Sequence, residues 1–136
     1  MAALAGITAV KPTATSVEEK VTWGEAITLG QLVYKDPGTG KYLRVDTNVS
    51  AVTSTIGGIA MTSGALDEKG YIVKSGSVIL VGTTMVALTD YFGGPNPGEI
   101  IPGADVAAGH YISKIGTASS VTQLDLAISN TNVLRP

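Results

Sequence analysis

Gly24 to Lys35 reads GEAITLGQLVYK, and a degenerate copy of it returns as Gly103 to Lys114, GADVAAGHYISK. Aligning the two pairs Gly24 with Gly103, Ile27 with Val106, Gly30 with Gly109, Val33 with Ile112 and Lys35 with Lys114. In each copy two glycines bracket a short apolar step, the pattern of a turn feeding a strand. A second echo lies downstream, where Ile59-Ala60-Met61-Thr62 and Leu126-Ala127-Ile128-Ser129 share an apolar, Ala, apolar, hydroxyl order. Two matched segments fall short of the three or more units a stacked array needs, so the spacing implies one β-motif used twice and not a solenoid. The alternative is chance similarity in a chain rich in Gly, Ala and Val.

Outward from that motif the text stays β-rich. Gln31 to Val45, QLVYKDPGTGKYLRV, places two strand-like runs around Asp36-Pro37-Gly38-Thr39-Gly40. Pro presets the first turn dihedral and the glycines supply positive φ, which predicts a hairpin with Tyr34 and Tyr42 on either side of its loop. Gly38-Thr39-Gly40-Lys41 is not a phosphate loop: Tyr42 stands where the Mg²⁺-binding hydroxyl belongs, and Lys35 where the first glycine belongs. Asp46 to Thr55 reads as a loop before a strand over Ile56 to Met61, and Ser63 to Gly70 as a turn with Asp67 and Glu68 at its tip. Tyr71 to Lys74, Ser77 to Val81 and Thr84 to Thr89 predict a meander of short strands. Asp90 to Gly103 holds four of the seventeen glycines and three of the six prolines, which predicts a long loop carrying Tyr91 and Phe92. His110 to Ile115 and Thr122 to Ser129 are the last predicted strands, with Asn130 to Pro136 as a tail and no helix beyond two turns.

Residues 1–20 show neither period and include Pro12, which predicts an extended N-terminal arm preceding a β-domain over 21–136. The arm is expected to be mobile in the free protein and to add to a neighbour's sheet edge, with Leu4, Ile7, Val10 and Val17 as its apolar anchors. Trp23, where arm meets body, reads as a core anchor or an exposed interface residue, and core is favoured for so large a ring. The fold class expected is therefore mainly β, a compact antiparallel β-barrel or β-sandwich-like single domain, a size that 136 residues suit.

Composition narrows function by exclusion. No Cys means no disulfide, no thiolate metal site and no cysteine nucleophile. With 9 Lys+Arg, scattered, against 11 Asp+Glu, the chain has no electrostatic footprint for nucleic acid or anionic lipid. Apolar runs are broken well short of a membrane span, and the N-terminus lacks the pattern of a secretory signal, so a soluble, non-secreted chain is expected. His110, the single histidine, lies in an apolar strand pattern without a nucleophile motif, and the aspartates are scattered singly at turns. The reading is thus no enzyme, no cofactor, no metal and no small-molecule substrate. Only 15% of residues are charged and mean hydropathy is +0.29, which points to surface covered by another chain, or to a low-charge barrel with a Thr/Ser surface.

The run Gly24 to Asp36 with its Thr28-Leu29-Gly30-Gln31-Leu32-Val33 step, then Gly40-Lys41-Tyr42 and Gly58-Ile59-Ala60, resembles the small capsid cement or head-decoration proteins of tailed bacteriophages. The resemblance spans roughly residues 20–130 and rests on glycine turns. It implies a compact antiparallel β-domain, commonly a trimer, made in the host cytoplasm and bound to the outer capsid surface of the virion, where it clamps neighbouring major capsid proteins. The family has no catalytic residues to carry over. The GGPNPGEIIPG stretch departs from its pattern. On this reading the partners are the major capsid protein and further copies of the chain, and Leu4, Ile7, Val10, Val17, Trp23, Tyr91 and Phe92 are the candidate contacts. The competing reading is a receptor- or carbohydrate-binding β-module on a virion or cell surface, which needs clustered exposed aromatics that one Trp and one Phe scarcely supply.

Overall fold

The computed structural model describes residues 3–136 as ten strands, β1 (Ala9–Pro12), β2 (Val17–Thr22), β3 (Leu32–Lys35), β4 (Tyr42–Arg44), β5 (Gly58–Ala60), β6 (Lys69–Val81), β7 (Asp90–Gly93), β8 (Ile100–Pro102), β9 (Tyr111–Ala118) and β10 (Gln123–Leu134), with one 3₁₀ turn at Gly103–Asp105. All pairings between these strands are antiparallel. The fold is organised on β6, whose two halves serve two sheets. Val73 is paired with Ile59 of β5 on one side and Glu18 of β2 on the other; Val78 is paired with Leu124 of β10 and Pro12 of β1. The first sheet runs β2-β6-β5-β3-β4 and curls into a half-barrel, and the second runs β1-β6-β10-β9-β7-β8. Between the halves sits Gly76 at φ 83°, where an added Cβ would collide with the Thr15 carbonyl, so only glycine lets the strand bend there.

Period-two alternation then sorts the side chains. Leu32, Tyr34, Ile59 and Val73 of the first sheet join Val78, Leu80, Tyr91, Ile100, Ile115 and Leu124 of the second in the main core. Their neighbours Val33, Ala60 and Ile72 point the other way, into a second core closed by Val21, Trp23, Ile27 and Tyr42. Trp23 is 0% exposed and lies flat against Gly64 and Gly70, whose missing Cβ atoms make room for the indole. Core, not interface, is thus its place.

One device recurs at the strand entrances. Gly30, Gly40, Asp67, Leu88, Gly98 and Gly109 all have φ between 64° and 87°, and each stands two residues before the first residue of β3, β4, β6, β7, β8 and β9 respectively. A left-handed residue reverses the chain, and the next residue is already extended for the ladder. That is the glycine turn seen twice in the sequence, and the structure uses it six times.

Several expectations are corrected. The predicted strands 71–74 and 77–81 are one strand, because Gly76 bends the backbone while remaining paired with Leu126 of β10. Thr84 to Thr89 forms no strand: Leu88 in the left-handed region breaks the extended run. The supposed loop 90–103 holds the β7–β8 hairpin, with Tyr91 opposite Pro102, a proline tolerated at the last position of a strand. The tail begins later than predicted, since β10 runs to Leu134 beside β9.

The N-terminal arm is not a separate element among the described residues; Met1 and Ala2 of that span lie outside them. β1 and β2 follow β6 along its whole length, interrupted at Thr13–Ser16, where the Thr13 and Ser16 hydroxyls donate to the Ser77 carbonyl opposite the bend. Ahead of β1, the Leu4 amide donates to the Ile100 carbonyl at 2.9 Å. Leu4 and Ile7 pack on the main core and Val10 is buried in it. The interruption, with Lys11 and Pro12 both exposed at the end of β1 and Val17 and Glu18 both exposed at the start of β2, is why no period is legible in residues 1–20.

Candidate interaction surface

Of the seven candidate contact residues, the structure draws most inward. Val10, Trp23 and Tyr91 are core residues, which corrects their assignment as contacts: each completes an apolar cluster inside the chain. Leu4 and Ile7 are half-buried, and Phe92 lies against Gly103. Val17, at 45% exposure, alone stands well out. The candidates therefore do not converge on one face.

Among the described residues no three His, Asp or Glu side chains come together as a metal site. The His110 main chain closes the loop before β9, its carbonyl accepting from the Arg135 amide at 2.8 Å. The perturbed carboxylates are structural. Asp90 is held below the usual carboxylate range by the Thr117 hydroxyl and the Lys114 ammonium, and Asp125 by the Ser77 hydroxyl and the Gln123 amide.

What the surface does show is two groups of exposed apolar residues. The first is built by Val81–Thr89 and Ala118–Leu124, two stretches without a charged residue. The Met85 amide donates to the Val121 carbonyl at 2.8 Å and the Leu88 amide to the Ala118 carbonyl at 2.7 Å, strapping the segments together. Met85 is buried, and the Val86 amide donates to the Tyr91 phenol oxygen at 2.9 Å, so the strap is pinned from beneath. Val86, Leu88 and Val121 are then left facing water, with Leu88 at 86% exposure. Leu88 is unusual twice over: every other strand-entrance position of this type holds Gly or Asp, and a leucine there bears the steric cost of φ 64° while offering its whole side chain to solvent.

A second group of exposed apolar residues comprises Val49 and Val52 of the loop before β5 and Val133 and Leu134, consecutive residues at the end of β10. Hydroxyls hold that loop in place: Thr53 donates to the Asp46 carbonyl at 2.7 Å, Thr47 to Gly94 at 2.9 Å and Ser113 of β9 to Ser54 at 2.5 Å. The Asn130 side chain both accepts from the Ile56 amide and donates to its carbonyl, standing in for a paired strand. The two groups sit at opposite ends of the β9–β10 ladder, Ala118 at one and Tyr111 at the other, about 23 Å apart at the ordinary rise of a strand. Sequence reasoning missed both; the uncharged runs 81–89 and 118–124 were the available signal for the first. No protein-family model matches the chain, nor does any curated protein sequence.

Proposed function

We propose that the protein is a structural virion component that binds the outside of an icosahedral bacteriophage capsid and stabilises it by bridging major capsid proteins. The observation that carries this reading is the exposed apolar residues at both ends of one sheet ladder, Val86, Leu88 and Val121 at one and Val49, Val52, Val133 and Leu134 at the other, with the loops that bear them tied down by hydrogen bonds. A bridging adhesive needs two separated contact faces, and exposed apolar clusters are what a protein partner covers. Rigidity matters for the same reason, because each pre-ordered contact saves the entropy of fixing a loop on binding. The copies act together through mass action, each bound site adding to the stability of the shell by its occupancy. The chain assembles there as a homotrimer, for which its low charge removes the usual repulsion between copies.

The test is binding to undecorated capsids of the encoding virus, read by co-sedimentation and by the melting temperature of the particle. Leu88→Asp with Val121→Asp at one end, or Val133→Asp with Leu134→Asp at the other, should each weaken attachment at least tenfold while the isolated protein melts as before. Attachment at full affinity with both ends altered overturns the proposal. Light scattering of the free protein and electron cryomicroscopy of the decorated shell test the trimer.

A further inference from the structure

The half-barrel of the first sheet ends in two edge strands, β2 and β4, and several bonds tie them together. Trp23 bridges to Tyr42, the Gly24 amide donates to the Tyr42 carbonyl at 2.8 Å, and the Tyr42 phenol donates to the Glu19 carboxylate at 3.1 Å. The Arg44 amide of β4 is taken by the Glu25 carboxylate at 2.8 Å, so neither edge is left free for a further strand. Around these ties lies a cleft of about 550 Å³, within the range of ligand sites. Three of the residues that line it are lysines far apart in sequence: Lys20 of β2, Lys35 at the end of β3 and Lys69 at the start of β6. Only the fold brings them together, which is why the basic residues look scattered along the chain.

The charges of this cleft do not balance. Glu19 lines it too, but its carboxylate is already committed, accepting from the Lys74 ammonium at 3.2 Å as well as from Tyr42, and these two bonds hold it below the ordinary range. The Tyr42 phenol is pushed up to about 12, by burial first and then by its bond to Glu19, so it stays a neutral donor. Among the described residues Lys20 and Lys35 form no ion pair, and Lys69 donates to the Thr22 hydroxyl and to no carboxylate; Lys41, by contrast, is paired with Asp67. A chain of net charge −2 thus gathers three ammonium groups without ion-pair partners around one cleft. Their mutual repulsion is relieved by an anion placed between them. Lys20 lies opposite Tyr71 and Lys69 opposite Thr22, which makes the two lysines diagonal neighbours on one face with backbones about 7–8 Å apart, while Lys35 enters from β3. Charges spread in this way suit a ligand with more than one anionic group.

We propose that this cleft binds a small ligand carrying two or more phosphate groups, held by Lys20, Lys35 and Lys69. A lysine acts as a point charge with three donors, a common way of holding phosphate, and no arginine lines the cleft to make the two-pronged match to a planar carboxylate. Three charges match a short ligand and not a nucleic-acid backbone, whose binding rests on many neutralised phosphates. The inference does not rest on the capsid reading, since a protein that decorates no shell can still hold a polyphosphate in this cleft.

Isothermal titration calorimetry with inorganic pyrophosphate tests it. The expected result is saturable one-to-one binding, weakened tenfold or more by Lys20→Gln combined with Lys35→Gln and unaffected by Lys11→Gln, an exposed lysine of β1 outside the cleft. All three lysines are exposed, so the variants should melt with the parent in the absence of ligand. Methyl phosphate, with a single anionic group, should bind at least tenfold more weakly than pyrophosphate. Adenosine diphosphate separates the two sources of such a ligand: tighter binding than pyrophosphate assigns the cleft to a nucleotide, binding no tighter assigns it to a free polyphosphate, and both support the proposal. Absence of saturable pyrophosphate binding, an equal loss with Lys11→Gln, or methyl phosphate binding as well as pyrophosphate overturns it.

Discussion

The two sequence copies, Gly24–Lys35 and Gly103–Lys114, share a glycine turn into a strand and differ before it, where the second forms the 3₁₀ turn Gly103–Asp105 and the first bridges through Ile27 to Gly64. Gly30 has φ 87° and Gly109 φ 82°, and each leads through one residue into a strand, β3 or β9. The echo also reaches their partners, since β3 pairs with the strand bearing Ile59-Ala60 and β9 with the strand bearing Leu126-Ala127. The register does not follow. Leu32 pairs with Ile59, but its counterpart Tyr111 pairs with Leu134, while Leu126 pairs with Gly116. The repetition is therefore one of turn chemistry, a way of starting strands, and not of a duplicated half-domain with its own symmetry. Context separates the copies further: a Cβ at Gly30 would lie 2.9 Å from the Ile7 side chain, whereas Gly109 has nothing within 4 Å. Lys35 forms no ion pair among the described residues, whereas Lys114 pairs with Asp90 at 3.2 Å.

The largest way to break the comparison is through Trp23, which precedes the first copy; its counterpart before the second is Pro102, at the end of β8. Trp23→Ala should remove the centre of the second core and cost about 3–5 kcal/mol in chemical denaturation. Its buried indole N–H has no hydrogen-bond partner among the described residues, so Trp23→Phe should cost clearly less, the lost volume being offset by removal of an unsatisfied donor. Equal losses for the two variants would mean that the ring contributes through contacts other than packing of its volume.

The glycines themselves give the next largest effect. Gly109→Ala meets only the backbone penalty of a left-handed residue, about 1 kcal/mol. Gly30→Ala meets that penalty and a collision with Ile7, together about 2–4 kcal/mol. Equal losses at the two positions would mean that Ile7 yields freely, and residues 3–12 would then behave as the loose arm their sequence suggested.

Why the sequence showed some of this and concealed the rest follows from what each signal encodes. The Asp36–Gly40 hairpin was legible because its turn residues are local, and the structure closes it with Lys35 opposite Tyr42. The β class was legible for the same reason. The β7–β8 hairpin was not, because Gly94, Pro95, Pro97 and Gly98 look alike whether they fill a long loop or a tight turn between short strands. Residues 1–20 misled because their order comes from β6, some sixty positions away, and not from any period of their own. The contact assignments failed on a similar point: apolarity marks a residue that wants cover, and for Val10, Trp23 and Tyr91 the cover is this chain itself. Leu88 and Val121 look no different in sequence, and only the strap that pins them outward tells them apart.

The smallest effect sharpens the contrast between the two lysines. Lys114 and the second sheet are tied by titrating groups, Asp90 to Thr117 and Lys114 and Asp125 to Ser77, Gln123 and Ser119, and both carboxyls are held below their ordinary range by those bonds. Among the described residues no ion pair ties Lys35. A carboxyl with a depressed folded-state pKa binds its proton more readily in the unfolded chain, so the stability it supplies is fully present above the unfolded value near 4 and is lost as pH falls through the lower folded value. Thermal midpoints should therefore hold between pH 7 and 5 and decline as pH falls from about 4.5 to 3. Asp90 is exposed and Asp125 half-buried, so screening by water keeps such contributions modest and the decline should amount to a few degrees. Asp90→Asn with Asp125→Asn should lower the midpoint at neutral pH and flatten the acid limb, because the groups whose protonation produces it are gone. Lys35→Gln should leave the limb unchanged. An acid limb as steep in the double variant as in the parent would place the titration elsewhere, with Glu19, also held low by Lys74 and Tyr42, as the next carboxylate to remove.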